Sequence, residues 1–225
     1  MLLQLAFLFF LLLLLFLLAK KIHQAIYTSC YLATRNQNLS LKILALFILP
    51  GTIIHEISHF VIASILRVPT GELSVIPTVE KGKQVRAGKL SLGKSDPFRL
   101  SLIGLAPIFI GLILIYLIGK FFLSAFSPFL LFAIYYLLFT ISITMFSSKK
   151  DLVSLWITLP VTFLLLTSLY LIGVRLFLEE NFIQKANAIA SGLNYYLLIT
   201  TIIDYFILII LSINNYLWKK ILKGV

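Results

Sequence analysis

The stretch LKILALFILPGTIIHEISHFVIASIL, residues 41–66, decides how this chain is read. Its apolar residues run far enough to cross a bilayer, since roughly 20 of them span the hydrocarbon core. Inside it stands His55-Glu56-Ile57-Ser58-His59. Residues four apart on a helix fall nearly one above the other, so His55 and His59 share a face and can reach one metal ion. Glu56 lies beside them, where a carboxylate can take a proton from a metal-activated water. Ionisable residues within a membrane segment are functional candidates by default. If the helix starts at Leu41, His55 lies roughly 21 Å along it and roughly 10 Å remain after His59. The metal is therefore expected inside the membrane, nearer the end that leads into the following loop. Pro50-Gly51 precedes the motif, and a proline removes a helix hydrogen bond, so a kink or a break that admits water is predicted there.

Composition agrees with a membrane setting. The chain of 225 residues is 60% hydrophobic and only 12% charged, more apolar surface than a soluble domain of this size can cover. The net charge of +11 is assigned to loop Lys and Arg that meet anionic lipid headgroups, not to nucleic acid, for which no motif is present. A single cysteine, Cys30, excludes an intramolecular disulfide framework and a cysteine-based zinc site.

The expected architecture is an all-α polytopic membrane protein, one domain over 1–225. Six spans are predicted near 2–19, 41–66, 100–122, 129–146, 152–177 and 192–217. The Leu- and Phe-rich start is read as a retained first span, because it lacks the basic leader and small-residue cleavage site of a signal peptide. Residues 1–40 form this span and a linker, 41–165 a core, and 166–225 the C-terminal helices. With the N-terminus inside, the inner loops carry twelve basic residues against seven outside, which favours both termini in the cytoplasm. Lys20-Lys21, directly after the first span, argues the other way. The Phe- and Ile-rich, Lys-biased composition points to a prokaryotic cell membrane.

Residues 67–99 are the one long polar stretch. Leu73, Val75 and Val79 alternate with polar neighbours, Lys81-Gly82-Lys83 can turn the chain, and Val85, Ala87, Leu90 and Leu92 give a second run with Gly88 as a bulge. This predicts a membrane-associated β-hairpin over 71–93, with Pro77 marking an edge or a bulge.

Two histidines do not hold a catalytic zinc, which takes three protein ligands and leaves a fourth position open. His23, the only other histidine, follows Lys20-Lys21 and suits the interface better. Among the eight acids, Glu72, Glu80 and Asp96 fall in the basic loop, and Glu179 and Glu180 on the far side. Asp151 falls between the fourth and fifth spans, on the same side as the end of the His55/His59 helix. Asp204 lies mid-span in the sixth. Asp151 is the favoured third ligand; the alternatives are that neither acid serves as one, or that Asp204 does.

A span bearing His55-Glu56-Ile57-Ser58-His59, a hairpin-like loop, another span and then an acid near a later helix resemble the site-2 protease family of intramembrane zinc metalloproteases. The resemblance covers about 41–165. Where the family places Leu-Asp-Gly, this chain has Asp151-Leu152-Val153 after two lysines. No PDZ-like or CBS-like domain accompanies the core. The resemblance implies one Zn2+ per chain, held by His55, His59 and Asp151, with Glu56 as general base. It implies hydrolysis of peptide bonds in membrane-spanning protein substrates, which must unwind first because their carbonyls are already hydrogen-bonded. Alternatives from other classes are a zinc-binding membrane protein that does not cut, and a transporter using Asp204 with Pro107 and Pro160 in separate spans.

Overall fold

A computed structural model describes residues 2–74, 78–80, 84–86, 89–122, 127–146, 151, 153–172 and 180–223. Among them the chain is all-α with a small β ribbon. Helix α1 runs from Leu2–Thr34 and α2 from Gln37–Phe47, followed by α3 (Leu49–Ile65). Strands β1 (Thr70–Ser74), β2 (Thr78–Glu80), β3 (Gln84–Arg86) and β4 (Lys89–Leu92) come next. Helices α4 (Pro97–Phe122), α5 (Pro128–Thr144), α6 (Leu155–Leu171) and α7 (Glu180–Lys223) complete the chain.

Local chemistry explains where the first three helices stop. Nothing in the Leu- and Phe-rich start interrupts a helix, so α1 continues past residue 19 to Thr34. Arg35 then turns left-handed at φ 54°, and the Asn36 side chain caps α2 by accepting from the Leu39 N–H at 3.2 Å. Of the expected kink or break, the structure has the break. At Ile48 the helix axis bends by 69°, and Pro50 sits in the first turn of α3, where its missing N–H costs nothing. Arg67, at φ 55°, ends α3 in the same left-handed way as Arg35 ends α1.

The hairpin is present as two antiparallel pairs. β1 pairs with β4 through Thr70↔Leu92, Leu73↔Leu90 and Ser74↔Lys89, with a register shift between Thr70 and Leu73. Farther out β2 pairs with β3, Thr78↔Arg86 to Glu80↔Gln84. The β1/β4 base packs against α3. The expected turn at Lys81-Gly82-Lys83, the Pro77 irregularity and the Gly88 bulge lie outside the described residues.

Among the described residues, three helices are long and apolar enough to cross a membrane: Leu3–Thr34, Pro97–Phe121 and Glu180–Leu222. The α2–α3 pair meets that test only as one bent unit. Helices α5 and α6 are 17 residues each, about 25 Å, against a hydrocarbon core of about 30 Å. The six-span expectation counts every apolar stretch as one full crossing, and these lengths reduce the long helices to three.

Helices α1 and α7 run parallel. Asn194 Nδ2 donates to the backbone and side-chain oxygens of Gln4 at 2.9 and 2.8 Å. Asn215 Nδ2 donates to the Ala25 carbonyl at 3.0 Å and accepts from Ser29 Oγ at 2.8 Å. These two polar clamps are separated by 21 residues on each helix, roughly 31 Å. Where two parallel helices both cross a bilayer, their C-terminal ends reach the same face. If both α1 and α7 are full crossings, the start of α1 and the end of α7 face opposite sides, whereas the sequence reading places both termini in the cytoplasm; vesicle accessibility decides between them.

The core forms where these helices meet. Leu11, Leu15, Ile115, Leu138, Ile141 and Leu197 join α1, α4, α5 and α7. Leu18, Ile22, Ile48, Phe139 and Ile143 close α1 over the helix break and α5. A third, smaller cluster of Ala63, Val68 and Ile103 ties α3 to α4 beside the motif.

Candidate metal centre

Helix α3 carries the motif as its spacing predicts. His55 and His59 stand one turn apart with ring centroids 4.8 Å from each other. His59, Glu56 and Ser58 are buried.

Each imidazole is held by a main-chain oxygen from a different helix. His55 Nδ1 donates to the Thr144 carbonyl at 2.7 Å. Thr144 is the last residue of α5, and the final carbonyls of a helix have no partner within it. His59 Nδ1 donates to the Ile103 carbonyl of α4 at 2.8 Å. A carbonyl can only accept, so both Nδ1 atoms carry the proton. In the neutral rings both Nε2 atoms are then bare acceptors. They face each other at 3.2 Å. Two acceptors at this distance cannot bond to one another, and a cation between them removes the repulsion.

Asp151 supplies the third group. Its Oδ2 lies 4.0 Å from His59 Nε2. Ligand atoms from His55, His59 and Asp151 all lie within 4.8 Å of one another. Tetrahedral zinc ligands sit roughly 3.3–3.5 Å apart, given bond lengths of about 2.0–2.2 Å. The imidazole pair, at 3.2 Å, falls just short of that spacing, and the carboxylate, at 4.0 Å from His59 Nε2, stands somewhat outside it. Two neutral imidazoles and one carboxylate are a donor set suited to zinc. The orienting bond from each Nδ1 to a carbonyl is the second half of such a site.

Close backbone approaches make this convergence possible. A side-chain carbon at Gly51 would strike the Thr140 carbonyl oxygen and Thr144 Oγ1. Glycine there lets α5 lie directly on α3, so that Thr144 meets His55 one turn later. A carbon at Gly104 would strike the Asp151 carbonyl oxygen, so α4 also lies directly on the Asp151 backbone. Ser101, one turn earlier, bonds Ser154 Oγ at 3.0 Å and Thr158 Oγ1 at 2.8 Å. These bonds fix the start of α6 just after Asp151.

No family model, no curated protein and no solved structure matches this chain. The geometry therefore has to carry the functional reading.

Every residue expected at the site has a definite place. His55, His59 and Asp151 come together. Glu56 is buried between the two histidines in sequence and within electrostatic reach of Asp151. His23 bonds the Ala19 carbonyl of its own helix at 2.8 Å and takes no part. Asp204 is fully buried on α7 and accepts from Ser142 Oγ at 2.8 Å, and the structure does not bring it into the group. Lys149 and Lys150, beside Asp151 in sequence, lie outside the described residues. The sequence reading missed the parts contributed by the main chain: the Thr144 and Ile103 carbonyls and the contact at Gly104. Residue types give no signal for a carbonyl.

Proposed function

We propose that this chain is an intramembrane zinc metalloendopeptidase that hydrolyses peptide bonds of membrane-spanning protein substrates. The observation that supports it most is the convergence of the His55 and His59 Nε2 atoms on Asp151, with Glu56 buried on the same helix turn. The resemblance of His55-Glu56-Ile57-Ser58-His59 and its following ribbon to the site-2 protease family points the same way.

His55, His59 and Asp151 hold the metal, and the Thr144 and Ile103 carbonyls keep the imidazoles aimed at it. When bound, zinc supplies a Lewis acid for the scissile carbonyl and brings the acidity of water toward neutral pH. Glu56 takes the proton as water attacks, and returns it to the leaving amine. Zinc binding alone has no need of that carboxylate, so its presence favours a cutting enzyme over a metal-binding subunit. The break at Ile48 lies about two turns before His55, and Ile48 itself is buried in an apolar cluster with Leu18, Ile22, Phe139 and Ile143. The edge of the β1/β4 ribbon, packed on α3, offers main-chain groups to which an unwound substrate strand can pair.

The test is cleavage of a panel of tagged single-span polypeptides by purified protein in detergent. Wild type should cut at least one of them, and a chelator should stop it. Glu56→Gln should lower the rate by about 10²–10⁴-fold, the usual worth of a general base, while retaining zinc. Equal cutting by Glu56→Gln would overturn the reading.

A further inference from the structure

Helix α4 contributes no metal ligand, yet two of the three ligands rest on one turn of it. His59 is held by the Ile103 carbonyl, and the Asp151 backbone lies against Gly104. In an unbroken helix the carbonyl of residue 103 accepts from the N–H of residue 107. Residue 107 is proline, inside α4 and fully buried, and proline has no N–H. The helix continues through it, so the Ile103 carbonyl has lost its ordinary donor at the place where His59 Nδ1–H arrives. An unsatisfied carbonyl is expensive in a membrane interior. His59 satisfies it, and in return its ring is fixed with Nε2 toward His55 and Asp151.

We propose that the α4 turn from Ile103 to Pro107 is the positioning element of the metal centre. Pro107 acts through the carbonyl it leaves free for His59, and Gly104 acts by admitting Asp151. Neither residue touches the metal; both are positioning residues. The assignment rests on the metal-site reading above, and it gives one short sequence, Ile103-Gly104-Leu105-Ala106-Pro107, a role that its apolar character hides.

A stability–affinity split separates positioning from plain packing. Pro107→Ala restores an N–H that competes with His59 for the Ile103 carbonyl. The helix should gain a hydrogen bond, so the thermal midpoint in detergent should hold or rise. Zinc affinity, measured by chelator competition, should nevertheless fall by about 10–100-fold, the usual effect of losing a partner that orients a ligand. Gly104→Ala should weaken zinc by a similar factor, and adding Asp151→Glu, whose longer side chain spans the added gap, should recover part of it. Gly192→Ala is the control, because its added carbon meets the edge of the Tyr116 ring on the same α4; zinc affinity there should match wild type. Wild-type affinity in both Pro107→Ala and Gly104→Ala would overturn the proposal and leave the metal site standing. Zinc lost in step with the thermal midpoint in all three variants would also overturn it, reducing the turn to ordinary packing. A wild-type protein that takes up no zinc would defeat the metal-site reading itself, and this assignment with it.

Discussion

Asp151 and Asp204 are both acids among apolar helices, and they stand in opposite situations. Asp204 is completely buried, yet it meets one hydroxyl, that of Ser142, and its Oδ1 has no hydrogen-bond partner. The Asp151 side chain is 28% exposed, yet it faces two imidazoles whose bare nitrogens already point at each other. Depth alone would have selected Asp204. Convergence selects Asp151, because a metal needs several donors at one point and each must be aimed by something else. Three elements meet there: α3 brings the histidines, while α4 and α5 supply the carbonyls that aim them. Asp204 has only a side-chain bond from one neighbour, which suits a tie between α5 and α7.

That contrast can be broken at several points. The largest effect is expected at the ligand itself: Asp151→Ala should lower zinc affinity by more than about 100-fold, exceeding the loss from an orienting partner, in a chelator competition. An unchanged affinity would move the third ligand elsewhere. Gly51→Ala should come next. Its added carbon meets the Thr140 carbonyl, so α5 must move off α3, destabilising the fold by about 1–3 kcal/mol as overpacking does. The same shift should weaken zinc by about 10-fold through the His55–Thr144 bond; wild-type values for both would mean that the two helices have room to give. Ser142→Ala should be milder and of the opposite kind. Removing the one donor to Asp204 should cost about 1–3 kcal/mol in thermal or denaturant unfolding, with zinc binding untouched; a loss of zinc there would tie the two acids together. The gentlest test alters neither acid. Because α7 carries Asp204 parallel to α1, small tags on the two termini should be reached by protease from opposite faces of sealed vesicles. Digestion of both from one face would contradict the parallel pair as two full crossings.

Much of the candidate metal centre was legible in the sequence, because its spacing is local. Four residues are one helical turn, so His55 and His59 had to share a face whatever the rest of the chain did. Asp151 was reachable by counting which ends of helices fall together. The kink before the motif was announced by Pro50-Gly51, and the alternation from Leu73 onward announced paired strands. What stayed hidden depends on direction and depth. A run such as Leu11-Leu12-Leu13-Leu14-Leu15 has no polar marker to say where a span ends, so α1 extends fifteen residues past the expected boundary, to Thr34. Uniformly apolar helices also do not reveal whether they pack parallel or antiparallel; Gln4 with Asn194, and Ser29 with Asn215, decide that for α1 and α7. Lys20-Lys21 was the one charge signal against a cytoplasmic N-terminus, and the parallel packing fixes only the direction of α7 relative to α1. The carbonyls of Ile103 and Thr144 were invisible for a further reason: every residue has one, and only the fold decides which are left without a partner.

The most direct test of the account is the zinc content of detergent-purified protein, wild type beside His55→Ala, Asp151→Ala and Asp204→Asn. The expected result is about one zinc per chain in wild type, as a single three-ligand site holds, lost in the first two variants and kept in Asp204→Asn. A wild-type protein that holds no zinc after the metal has been supplied would contradict it.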